Sequence, residues 1–120
     1  MLHPMASWER DFRLWHYSIS HSTLLLRSLS GDRSPRRVDL AFFGVRAMHL
    51  RDQYDLLSIA PTADMTQLKV ISITRAPTEP LLCYVINGGP DYIIATDVAW
   101  HEDDGDHGSP SRFGPLRGTS

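Results

Sequence analysis

From Val38 to Leu50 the chain runs through two apolar-polar alternating stretches, broken once at Gly44. Alternation with a period of two is the mark of a strand with one buried face. In Val38-Asp39-Leu40-Ala41-Phe42-Phe43 it turns Val38, Leu40 and Phe42 toward a core and leaves Asp39 on the other side. Gly44 then supplies the backbone freedom for a bulge or tight turn, and Val45 to Leu50 resumes the pattern. Such a segment suits an antiparallel sheet. It does not suit a helix, whose apolar stripe recurs about every 3.6 residues.

The remaining sequence keeps the same rhythm. Phe12 to Ser20 alternates, and the set Arg13, Trp15, Tyr17, Ile19 is richer in strand formers, so it is expected to face the core. Ser22 to Leu29 and Arg37 to Phe43 flank Ser30-Gly31-Asp32-Arg33-Ser34-Pro35, a hairpin loop by composition. Tyr54 to Ile59, Gln67 to Thr74, Leu81 to Ile86 and Tyr92 to Trp100 complete the strand signals, with Asn87-Gly88-Gly89-Pro90 as a hairpin turn. Arg75-Ala76-Pro77-Thr78-Glu79-Pro80 reads as a second proline-marked loop. Trp8 to Arg13 is the one region that could be read as helix, beside a single turn that Thr62 or Asp64 could cap. The expected fold is mainly β, a single-domain antiparallel sandwich, roll or small barrel of about seven to eight short strands with little helix. It spans residues 1–102, and residues 103–120 form a polar, flexible tail pinned by Phe113.

A chain of 120 residues is one domain that buries roughly two-thirds of its unfolded surface. Its net charge of -2 gives no electrostatic reason to expect nucleic acid or an anionic membrane as partner. Cys83 is the single cysteine, which excludes an internal disulfide and a cysteine-based zinc site. It lies in an apolar run, where a free thiol behaves as a small hydrophobe. The first ten residues lack the basic and apolar regions of a signal peptide, and no apolar run approaches the roughly 18 residues that span a bilayer. A soluble cytoplasmic protein is the expectation.

Chemistry-bearing motifs are few. Glu102, Asp103, Asp104, Asp106 and His107 gather oxygen ligands, but their spacing fails the calcium-loop template, so no metal is expected. No nucleophile elbow, zinc-protease helix or phosphate loop occurs, and no cofactor is expected. Ser20-His21-Ser22 sets hydroxyls beside an imidazole, although neighbouring strand residues point to opposite faces. The aromatics Trp15, Tyr17, Tyr84, Tyr92 and Trp100 are expected mostly in the core.

The order Trp15-His16-Tyr17-Ser18-Ile19-Ser20-His21-Ser22-Thr23-Leu24-Leu25-Leu26-Arg27-Ser28, followed by Val38 to Met48, resembles small uncharacterised bacterial β-rich proteins. It is also similar to immunity proteins of polymorphic-toxin systems, which share a strand, Phe-x-Gly-Val, strand core. Where those proteins often carry an acid after the first-strand histidine, this chain has Ser22. Strands and loops are accounted for and catalytic constellations are not. The leading expectation is therefore a non-catalytic cytoplasmic interaction domain that binds a partner protein through a sheet face or edge. For this the resemblance implies an immunity-type inhibitor, and the edge strands admit a monomer or a homodimer. Asp39, Arg46 and His49 are the side chains of the Val38 to Leu50 segment that packing does not explain, and they are the expected contact surface. The alternative expectation is a small ligand-binding or hydrolytic domain using His16, His49 and Asp39.

Overall fold

The computed structural model describes residues 3–29, 36–63 and 81–104, together with Phe113. The strands are β1 (Ala6–Trp8), β2 (Phe12–Ser18), β3 (Thr23–Ser28), β4 (Arg37–Phe43), β5 (Ala47–His49), β6 (Gln53–Tyr54), β7 (Leu57–Thr62), β8 (Leu82–Ile86), β9 (Tyr92–Ala95) and β10 (Asp97–Asp103). They form two five-stranded sheets in one domain, ordered β1-β7-β8-β9-β5 and β10-β4-β3-β2-β6, and every pairing is antiparallel. The mainly β, antiparallel architecture is therefore as the alternation implied. The expected strand over Gln67 to Thr74 and the loops at 30–35 and 75–80 lie outside the described residues. So does the tail, apart from Asp103, Asp104 and Phe113.

The strand count exceeds the expectation for two reasons. Edge strands β1, β5 and β6 are only two or three residues long, too short to show a period. The run Tyr92 to Trp100, expected as one strand, bends at Thr96 into β9 of the first sheet and β10 of the second. Trp8 to Arg13 is not helical: Trp8 closes β1 and Phe12 opens β2.

Gly44 and Thr96 form a shared corner. The chain crosses between sheets from β4 to β5 at Gly44, and from β9 to β10 at Thr96. Corners of packed sheets are commonly made by strands that switch sheets at such bends. Thr96 N and Thr96 Oγ1 both donate to Phe43 O at 2.9 Å. Gly44 sits at φ +62°, and a Cβ there would meet Thr96 Oγ1 and come within 2.9 Å of Thr96 Cγ2. Glycine is required twice over, by backbone and by space.

The core lies between the sheets. Phe12, Leu24, Leu26, Val38, Leu40 and Phe42 from the second sheet meet Leu57, Ile59, Tyr84, Ile86, Ile93 and Ala95 from the first. Phe42 and Tyr84 cross the interface edge-to-face, 5.4 Å between ring centroids. The β2 expectation needs correcting. Phe12 is wholly buried, and a bulge between Leu14 and His16 resets the alternation. Tyr17 then packs against the core as expected, while Trp15 stays partly exposed and Ile19 is 84% exposed in the turn.

Candidate functional site

Asp39 is not a surface residue. It is 1% exposed, and its two oxygens receive the guanidinium of Arg27, Nε to Oδ1 at 2.7 Å and Nη2 to Oδ2 at 3.0 Å. Register sets this pair, because Arg27 of β3 lies directly opposite Asp39 of β4. Arg37 Nη2 stands 4.0 Å from Asp39 and makes its own two-pronged pair with Asp103, both bonds 2.8 Å. The ring of Trp15 lies 5.0 Å from the Arg27 guanidinium carbon. A carboxylate so enclosed holds neighbouring strands together and offers nothing to a partner. The alternation correctly pointed Asp39 away from the core, but the outward face of this sheet is itself covered. Phe113 lies on that face beside Leu25, Ala41 and Phe43, with its ring 5.9 Å from that of Phe43.

His49 is different. Its side chain is 64% exposed, at the end of edge strand β5. It is nevertheless fixed in orientation. Nδ1 lies 3.0 Å from Oδ1 of Asp91, a carboxylate only 9% exposed at the start of β9. Because a carboxylate accepts, Nδ1 carries the hydrogen and Nε2 faces outward with no partner among the described residues. The imidazole also stacks on Tyr92, its cross-strand neighbour, with centroids 6.1 Å apart and planes inclined by 15°.

Asp91 is itself held from below. Tyr54 donates its hydroxyl to Oδ2 at 2.6 Å, and Arg51 N donates to that same hydroxyl at 2.9 Å. Asp91 O accepts from Ile86 N at 2.9 Å, which ties the residue to the β8–β9 hairpin. Burial, followed by the hydrogen bond to Asp91, pushes the Tyr54 phenol up to about 12, so it stays a donor throughout the neutral range. Arg51 Nε sits 3.9 Å from Oδ2, too far for a hydrogen bond, and its side chain is 76% exposed. The result is a buried anion with an oriented imidazole on one oxygen and a loosely placed guanidinium near the other.

The expected trio of His16, His49 and Asp39 does not converge. His16 pairs opposite Leu25 and Asp39 opposite Arg27, both on the outward face of the second sheet. His49 stands with Tyr92 on the outward face of the first sheet, and the core lies between. Arg46 is exposed and directly precedes β5, on the same segment as His49. His21 does meet hydroxyls, because a turn rather than a strand carries it: Ser18 Oγ and Ser20 Oγ lie 3.0 and 3.1 Å from Nδ1. Among the described residues no carboxylate orients the ring, and Ser18 is buried. Burial raises the Cys83 thiol to about 11, which makes it a packing residue.

Asp91, Tyr54 and Arg51 were not anticipated from the sequence. Asp91 is 42 residues from His49 and Tyr54 37 residues from Asp91, so no local spacing joins them. A polar residue directly after the Asn87 to Pro90 turn was the one available signal. Among the described residues no group of three or more ligating side chains could hold a metal, and no helix is long and apolar enough to cross a membrane.

Compared with known protein families, curated proteins and solved structures, the chain matches none of them.

Proposed function

We propose that the chain is a non-catalytic protein-binding domain whose contact surface is the segment from Arg46 to Arg51, with His49 at its centre. The observation that carries this reading is an exposed imidazole held in one pose by a buried Asp91–Tyr54 pair. Exposed side chains normally lose rotamer freedom when a partner covers them, and a pre-oriented one loses less. Arg46, Met48, His49 and Arg51 are all exposed along this segment, and arginine, methionine and aromatic residues are favoured at interface cores.

An immunity-type inhibitor in the cytoplasm is the specific form of this reading that the sequence resemblance implies. Such a protein binds one toxin tightly and blocks it. Affinity capture from a lysate of the source organism, repeated with a His49→Ala/Arg51→Ala double variant, tests the reading. A protein retained in stoichiometric amount by the native chain and lost by the variant supports it. A partner retained equally by both places the interface elsewhere. For the inhibitor form, the captured partner must also have an activity that the native chain suppresses.

A further inference from the structure

We infer that Asn87 is a modification site, where the amide nitrogen of Gly88 converts the carboxamide to a succinimide that water opens to aspartate or isoaspartate. A clamp onto β7 holds this reaction back while the fold is intact.

Asn87 is the single asparagine of the chain, and glycine follows it. Glycine has no Cβ to shield its nitrogen, and a Cβ built on Gly88 meets nothing within 4 Å. Among the described residues Gly88 N donates to no acceptor. The nucleophile is therefore open, but its target is held away. Ser58 N donates to Asn87 Oδ1 at 2.7 Å, and Asn87 Nδ2 donates to Leu56 O at 3.0 Å. Asn87 N adds a bond to Ser58 O at 3.0 Å. These bonds draw the carboxamide toward the start of β7, whereas Gly88 leads on toward β9. The sheet order β7-β8-β9 puts those two strands on opposite sides of β8. Ring closure needs Cγ to swing off β7 and onto Gly88 N.

Water is the one co-reactant. Gly88 N gives up its proton to solvent and bonds to Asn87 Cγ, the bond from Cγ to Nδ2 breaks, and ammonia leaves. Water then opens the ring. Attack at the side-chain carbonyl gives aspartate, and attack at the main-chain carbonyl gives isoaspartate, whose main chain is one methylene longer. Both products carry a carboxylate with no N–H to offer Leu56 O, so that carbonyl faces an anion in place of a donor. Isoaspartate also lengthens the main chain between Ile86 and Asp91, whose bond from Ile86 N to Asp91 O at 2.9 Å closes the turn. Asp91 is the carboxylate that orients His49, so isoaspartate at this position releases the imidazole as well.

The test ages the full chain at mildly alkaline pH, folded in buffer and unfolded in urea. Intact mass follows the conversion, and peptide mapping assigns it to Asn87 and separates isoaspartate from aspartate. The folded chain should convert about tenfold more slowly or less, since two side-chain hydrogen bonds must open first. Ser58→Pro keeps the Asn87-Gly88 pair and removes the N–H that holds Oδ1, so it should speed conversion of the folded chain. The isoaspartate form should unfold at lower urea than the native chain and give shifted His49 ring signals by NMR. A folded native chain that converts as fast as the unfolded one overturns the clamp, whether or not Ser58→Pro folds. No conversion at Asn87 in the unfolded chain overturns the site. Unmoved His49 signals in the isoaspartate form overturn the link to Asp91.

Discussion

The hydroxyl of Tyr54 donates to Oδ2 of Asp91 at 2.6 Å, and through that bond a buried residue of the second sheet sets the pose of an exposed histidine on the first. Two edge strands, β5 and β6, are thereby joined by side chains where no backbone ladder links them. The stability of the scaffold and the geometry of the contact surface meet at this carboxylate.

Tyr54→Phe should therefore do two things. It removes the buried hydrogen bond to Asp91 and the one accepted from Arg51 N, a loss of about 1–2 kcal/mol in urea denaturation. It also releases Asp91, so the NMR ring signals of His49 should shift and broaden although the ring itself is untouched. His49→Ala, by contrast, should change stability by less than about 0.5 kcal/mol, because the side chain is exposed.

Asp39 should behave in the opposite way. Removing it takes the carboxylate away from the buried Arg27 guanidinium, so Asp39→Ala should cost about 3–5 kcal/mol. Replacing both partners, as in Arg27→Met/Asp39→Leu, should recover most of that loss. A modest, purely local effect of Asp39→Ala in equilibrium unfolding would contradict the enclosed ion pair.

Gly44→Ala confronts the corner. A left-handed backbone costs alanine about 1–2 kcal/mol, and the new methyl meets the Thr96 side chain. The loss measured by denaturation should exceed the backbone cost alone. Thr96→Ala in the same chain should relieve only the steric part, since φ +62° remains, and it loses the Oγ1 bond to Phe43 O as it does so.

Stability should fall on the alkaline side. Burial raises Cys83 from 9.0 to about 11, and burial with the Asp91 bond raises Tyr54 from 10.0 to about 12. In each case the unfolded chain loses its proton first. The stabilisation is thus complete below about pH 9 and declines from there through about pH 12. Tyr54→Phe should flatten the upper part of that decline. Native Cys83 should be inert to thiol reagents at neutral pH and react once the chain is unfolded, which a colorimetric thiol assay reads directly.

Much of the fold was legible because burial on one face writes itself as alternation. Val38, Leu40 and Phe42 are all fully buried, as their spacing implied, and Gly44 is a true corner. The β2 pattern misled at Trp15 because a bulge shifts phase without leaving a residue-type signature. Asp39 misled for another reason. Alternation reports which face a side chain takes, and it does not report whether that face is covered. His49 was visible as an outward side chain, but its partners come from β6 and from the turn before β9, and only the packing of the two sheets brings them together.

In the proposed reading, His49 and Arg51 form the surface that a partner protein covers. The most direct measurement is the calorimetric affinity of the captured partner for the native chain, for His49→Ala/Arg51→Ala and for Arg27→Met/Asp39→Leu. The surface variant should lose about a hundredfold in affinity or more while its unfolding curve stays native-like, and the buried-pair variant should bind as the native chain does. Undiminished binding by the surface variant, or loss of binding confined to the buried-pair variant, would contradict the proposed surface.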